Sequence, residues 1–293
     1  MTDGVRQIFW GLFKKIVVAD NCADIANQIF DNYKNLPAPS LILGALFYTF
    51  QLYADFSGYS DMAIGFARLL GFDITKNFNY PFFAQNIADY WRRWHMSLTS
   101  WLTEYVFTPL SIKFRDYGKP GLVAAIIINL VICGIWHGAN WTYVLFGFLH
   151  GCYFIPLIIK GTMNKKSKKV NASLLPSFLE IRNIAATFSI VMLTNILFRA
   201  NSITHAFDYY KHIFSISIFK VPVIINKTNT ITYLAFSILM LFIEWIGRDQ
   251  SYGIAGIGIK WPRMLRWGFY SFLIFLMTMY MATSNPAFIY FQF

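Results

Sequence analysis

The chain of 293 residues is 56% apolar and 19% aromatic but only 13% charged, about half the charged share of an ordinary soluble protein. Its long charge-free runs exclude a soluble globular protein and imply a polytopic membrane protein. The net charge of +11 does not point to nucleic acid, because the basic residues sit in short segments between apolar runs, where they serve orientation. Cys22, Cys133 and Cys152 lie in apolar or mixed sequence without paired spacing and read as packing thiols.

Met1 to Arg6 is polar and the run after it is broken by Lys14 and Lys15, which does not fit a secretory leader. The first apolar segments are therefore expected to act as their own insertion signals. Ile8 to Phe30 alternates apolar groups with Lys14, Lys15, Asp20 and Asp24, a pattern that predicts an amphipathic helix at the interface or against other helices. Leu41 to Phe72 is long enough to cross a bilayer but carries Asp55 and Asp61 around Gly58, where a helix break is expected. Six helical residues turn about 240°, so an unbroken helix cannot present both aspartates on one face. They either line a cavity or satisfy helix ends.

From Tyr90 onward, Trp91, Trp94, His95, Leu98, Trp101 or Leu102, and Tyr105 recur at three-and-four spacing, which predicts one helix with an aromatic stripe that includes His95. Asp89 is placed to pair with Arg92 or Arg93. The tryptophans fit interfacial anchors as well as a funnel wall. Lys113, Arg115 and Lys119 form a basic link. Gly121 to Trp136 spans 16 residues, about 24 Å as a helix against a slab of about 30 Å, which leaves His137 inside the outer half of the membrane.

Thr142 to Ile159 returns, and Lys160 to Lys169, with five lysines, marks the cytoplasmic side. Further spans are expected at Ile184 to Phe198, Ile231 to Ile246 and Trp267 to Thr283. His205, Asp208 and His212 share one helical face, but without a third strong ligand they predict an interfacial helix and no metal site. The basic links at 113–119, 160–169 and 248–266 are two crossings apart, so one orientation satisfies all three.

The run from Gly121 to Ile159 contains no Lys, Arg, Asp or Glu, and Trp136-His137-Gly138-Ala139-Asn140-Trp141 interrupts it. Ionisable residues inside a membrane are rare and usually functional, although a histidine there can also join helices by hydrogen bonding. No G-x-S-x-G elbow and no phosphate-binding G-x-x-x-x-G-K-[ST] loop occurs. That favours direct transfer over a serine acyl-enzyme.

In this order, Gly11-Leu12-Phe13-Lys14-Lys15, Tyr53 to Asp61, Asn79-Tyr80-Pro81-Phe82, Asp89 to Leu98, Trp136 to Trp141, Leu197-Phe198-Arg199-Ala200 and Phe288 to Phe293 resemble the blocks of the membrane-bound O-acyltransferase family. The likeness is to its alginate O-acetylase-like bacterial branch, and it resembles the later two-thirds of such a protein. It implies an all-α, polytopic transmembrane bundle with re-entrant and interfacial amphipathic helices, over 1–293 as a single domain in a bacterial inner membrane. The family's invariant histidine maps onto His137 and its second functional histidine onto His95. His137 is then the base that takes the hydroxyl proton, while His95 orients the acceptor or stabilises the carbonyl oxygen. Trp91, Arg92, Arg93, Trp94, Trp136, Asn140, Asp55 and Asp61 are the candidates for binding substrate, the arginines for donor phosphates. No cofactor is expected beyond acetyl-coenzyme A or another acyl thioester as co-substrate. Expected partners are membrane lipid, the acyl donor, and an extracytoplasmic polysaccharide or partner acetyltransferase. D-alanyl transfer to teichoic acid, an inactive scaffold and a transporter half are the competing readings.

Overall fold

A computed structural model describes residues 2–165 and 175–281, in which all regular structure is helical. Lys166, Lys168, Lys169, the closing block 288–293 and the end of the last expected span lie outside the described residues. The helices are α1 (Thr2–Phe13), α2 (Asp20–Asp31), α3 (Ala38–Leu69), α4 (Ile87–Trp91), α5 (Met96–Leu102), α6 (Thr108–Lys113) and α7 (Gly118–Trp136). They continue with α8 (Trp141–Cys152), α9 (Ile155–Ile159), α10 (Phe178–Arg199), α11 (Ile203–Ile213), α12 (Lys227–Ile246) and α13 (Arg263–Met279). The chain gathers into two compact units: Met1–Lys76 with Lys211–Phe293, and Asn77–Tyr210.

Four helical segments are long and apolar enough to cross a membrane: Arg115–Trp136, Trp141–Ile159, Phe178–Arg199 and Lys227–Ile246. Two further expected spans are not among them. Helix α13 has 17 residues, about 25 Å, and α3, though long enough, carries Asp55, Asp61 and Arg68. In the first of the four segments the α-helix proper is Gly118–Trp136, whose 19 residues reach about 28 Å. His137 sits in the turn between the first two of these segments.

In the first unit, α1 and α2 are joined without a break by a π-helical turn, Lys14–Ala19, and this long element packs along α3. Of the two expectations this matches packing against other helices, and it buries both lysines. Lys14 pairs with Asp61 at 2.6 Å and donates to Ser57 Oγ at 2.9 Å, while Lys15 pairs with Asp55 at 2.6 Å and Asp20 at 2.8 Å. Glu244 of α12 lies 3.8 Å from Lys14 and accepts from Tyr53 Oη at 2.8 Å. Neighbouring lysines on a helix diverge, and so do aspartates six residues apart, so each lysine finds its own carboxylate.

Helix α3 runs straight through Gly58, contrary to the expected break. The glycine serves a different purpose. A Cβ on Gly58 would stand 2.8 Å from the Gly11 carbonyl oxygen, and one on Gly11 would stand 2.5 Å from that of Gly58. Gly4 and Gly65 oppose each other in the same way one heptad away. Helices pressed this close exclude even a methyl group. We predict that Gly11→Ala and Gly58→Ala each destabilise the fold by about 1–3 kcal/mol, read as a lower unfolding temperature in detergent; an unchanged midpoint would refute the close approach.

Candidate active site

The second unit holds both histidine blocks. The expected continuous helix from Tyr90 does not form: α4 ends at Trp91, residues 92–95 make a turn, and α5 starts at Met96. His95 occupies the left-handed region at φ 44°, ψ 54°. Such a conformation costs a non-glycine residue energy and persists only when its surroundings hold it. The extended segment after residue 76 does the holding. Asn79 N–H donates to the Arg93 carbonyl at 2.9 Å, Met96 N–H donates to the Asn77 carbonyl at 2.9 Å, and Ser97 Oγ donates to Asn77 Oδ1 at 2.6 Å. Phe78 packs edge-on against Trp94. These bonds take the backbone groups that a continuing helix would have used.

His137 follows the last residue of α7, and Gly138 turns the chain at φ 148°. Asn140 then caps α8: its Oδ1 accepts from Thr142 N–H at 3.1 Å, and its Nδ2 donates to the Asn201 carbonyl at 3.2 Å. Both ends of that amide are engaged, which gives Asn140 a part in shaping the turn. Glycines at 134, 147 and 151 let α7 and α8 touch backbone to backbone as a hairpin. Lys119 Nζ donates to the Ile159 carbonyl at 2.8 Å, tying the far ends of the two spans together.

The two blocks meet at Trp136. Its half-exposed indole stands edge-on to His95, with centroids 5.9 Å apart and planes at 77°, and to His137, at 4.9 Å and 79°. Phe198 closes the other flank of His137 at 4.8 Å, and Tyr143 packs on Phe198 at 4.9 Å. Phe198 belongs to the Leu197-Phe198-Arg199-Ala200 block, for which the sequence alone suggested no role. Burial lowers His95 to about 4. Burial also lowers His137, to about 3, and charge on His95 pushes it the same way, so the two rings feel each other. Both are neutral imidazoles near pH 7, each with one lone pair able to accept a proton.

Elsewhere in this unit lies a cavity of about 160 Å³, walled by apolar residues such as Leu102, Ile126 and Phe154 with Trp91, Arg92 and Asn129; His95, Trp136 and His137 are not among its lining residues. Trp91, Arg92, Thr99 and Thr103 also border a second, more polar recess that includes Met96 and Glu104. The two arginines part company here. Arg92 is exposed, lines both recesses and donates to the Met163 carbonyl at 2.7 Å. Arg93 turns to Asp89, Nε to Oδ1 at 2.9 Å, the i+4 pairing expected. Trp94 is buried between Phe78 and Tyr90. Asn129 Oδ1 is buried and accepts no hydrogen bond among the described residues.

Asp55 and Asp61 belong to the other compact unit, where each has a lysine partner. In an unbroken α3 they do not satisfy helix ends; each balances a buried lysine of the neighbouring helix instead. Among the described residues no three His, Cys, Asp or Glu side chains converge as a metal site. Sequence reasoning passed over His150, which is wholly buried and accepts from the Trp91 indole. The signal was present, since His150 interrupts the same charge-free run as His137.

Residues 2–198 match the membrane-bound O-acyltransferase family. Over 257 residues the chain is 35% identical to a probable alginate O-acetylase of Pseudomonas aeruginosa, an alignment covering 85% of this chain and 46% of the relative. It is 37% identical over 208 residues to a peptidoglycan O-acetyltransferase of Helicobacter pylori, covering 69% and 36%. It is 36% identical over 225 residues to a teichoic acid D-alanyltransferase of Streptococcus thermophilus, covering 68% and 51%. The chain spans about half the length of these relatives, or less.

The lowered His95 value makes a prediction about stability. An unfolded histidine titrates near 6.5, so between about pH 6.5 and 4 the unfolded chain binds the proton and the folded one does not. Stability is therefore lost as the pH falls through that window. His95→Asn, which keeps a residue tolerant of left-handed backbone, is expected to show a shallower decline in unfolding temperature from pH 6.5 to 4; an equally steep decline would show that His95 titrates normally.

Proposed function

The chain belongs to the membrane-bound O-acyltransferase family, and from that premise we propose that it moves an acetyl group from a cytoplasmic thioester, acetyl-coenzyme A or a similar donor, to hydroxyls of an extracytoplasmic polysaccharide. The observation that carries this reading is the packing of His95 and His137 against one ring, that of Trp136, in the unit that also holds a cavity bordered by Trp91 and Arg92. Two relatives are named for O-acetylation of alginate and of peptidoglycan, which favours a polysaccharide acceptor. The apolar spans, with basic links two crossings apart, favour a multi-pass protein of a bacterial inner membrane.

In this mechanism the acceptor hydroxyl attacks the thioester carbonyl while His137 takes its proton. His95, as a neutral N–H donor, stabilises the charge that develops on the carbonyl oxygen. The carbon–sulfur bond then breaks and the leaving thiolate takes the proton from His137. Arg92 supplies positive charge for the donor's phosphates at the cavity mouth. The buried Asn129 oxygen offers an acceptor to an amide N–H on the donor's arm. Trp91 and Trp136 give flat walls against which donor and sugar pack.

D-alanyl transfer to teichoic acid is the second reading, favoured by the 36% identity to a D-alanyltransferase. It shares the histidines and differs in donor and acceptor. We expect His137→Ala, at equal membrane level, to lower transfer of acetyl to cell-surface polysaccharide by about 10²–10⁴-fold. Ester release assayed for both acetate and D-alanine separates the two readings, and wild-type ester levels in His137→Ala would contradict both and leave a scaffold or transporter role.

A further inference from the structure

His150 takes no part in the chemistry above, yet its side chain is 0% exposed in the middle of an apolar span. The rings of Tyr90, Trp91, Phe146 and Tyr153 surround it at centroid distances of 6.2, 5.3, 4.4 and 5.6 Å. An imidazole so enclosed could be replaced by a hydrocarbon of the same size unless its nitrogens did something. One of them does: the Trp91 indole Nε1–H donates to His150 Nδ1 at 3.2 Å. Nδ1 can accept only when the ring proton sits on Nε2 and the ring is neutral, because an imidazolium carries N–H at both positions and would repel the indole. Among the described residues Nε2 has no hydrogen-bond partner, so the contact with Trp91 is where its polarity is used.

Trp91 is in turn the residue that leads into the His95 turn, and it borders both recesses of the cavity beside Arg92. A buried indole N–H with no acceptor is costly, so Trp91 keeps the orientation in which His150 receives its hydrogen. Resting on the acyl-transfer reading, we propose that His150 is a positioning residue: a neutral acceptor that locks the Trp91 indole as the wall of the cavity and thereby sets how the thioester donor binds. Tyr90 stacks on Trp94 at 5.5 Å as well as on His150, so the same lock braces the turn that carries His95.

The test compares His150→Asn, whose Oδ1 stands near the place of Nδ1, with His150→Leu, which offers no acceptor. Both are made in the full chain, and Trp91→Phe identifies the Trp91 signal. Ultraviolet resonance Raman reports the hydrogen bonding of the indole N–H, and steady-state kinetics with acetyl-coenzyme A separates KM from kcat. His150→Leu is expected to shift the Trp91 band to that of an unbonded indole and to raise KM about tenfold, the loss of one hydrogen bond, with kcat changed by less than about threefold. His150→Asn is expected to keep band and KM near wild type. An unmoved band in His150→Leu, an Asn variant as impaired as the Leu variant, or a fall in kcat at constant KM would each overturn the inference. The Raman band needs no turnover, so a wild-type chain without acyl transfer would refute the proposed function while the band still decided whether His150 holds Trp91.

Discussion

A charge or polar group removed from water must find a partner within the protein, and this constraint shapes both compact units. In the first, two consecutive lysines are buried with the carboxylates of Asp20, Asp55, Asp61 and Glu244 around them. Removing one partner from such a set leaves an uncompensated buried charge, a loss far larger than that of a surface ion pair. The glycines at 4, 11, 58 and 65 bring the helix backbones close enough for these side chains to meet. The π-helical turn falls at Lys14–Ala19, the segment that carries the two lysines.

In the second unit the same constraint acts on rings. His95, His137 and His150 are each packed against aromatic rings, and burial holds His95 and His137 neutral. A neutral, water-poor imidazole suits a base that must accept a proton from a hydroxyl without first shedding one. The left-handed backbone at His95 is the strained element of this arrangement, and it is paid for by the hydrogen bonds of Asn77 and Asn79. Strain of that kind commonly marks a functional position.

Much of this was legible in the residues. The apolar spans at 121–136 and 142–159 and the Asp89–Arg93 pair follow from composition and spacing, and the all-helical fold from the resemblance to a family. What was not legible depended on distant partners. A helix through 90–105 satisfied local periodicity, but Asn77 and Asn79 capture its backbone and break it. Gly58 looked like a hinge because nothing in the sequence reveals that Gly11 lies opposite. Asp55 and Asp61 read as cavity groups or helix-end groups for the same reason, their lysine partners being some forty residues away. His150 was passed over because its role depends on the ring of Trp91, 59 residues earlier in the chain.

That His95 and His137 act as a single site, bridged by Trp136, is tested most directly by a double-mutant cycle on kcat/KM with His95→Asn, His137→Ala and the pair. Groups that serve one transition state lose activity together, so the double variant is predicted to be little worse than His137→Ala alone. Losses that simply multiply, as for independent residues far apart, would contradict the convergence of the two imidazoles.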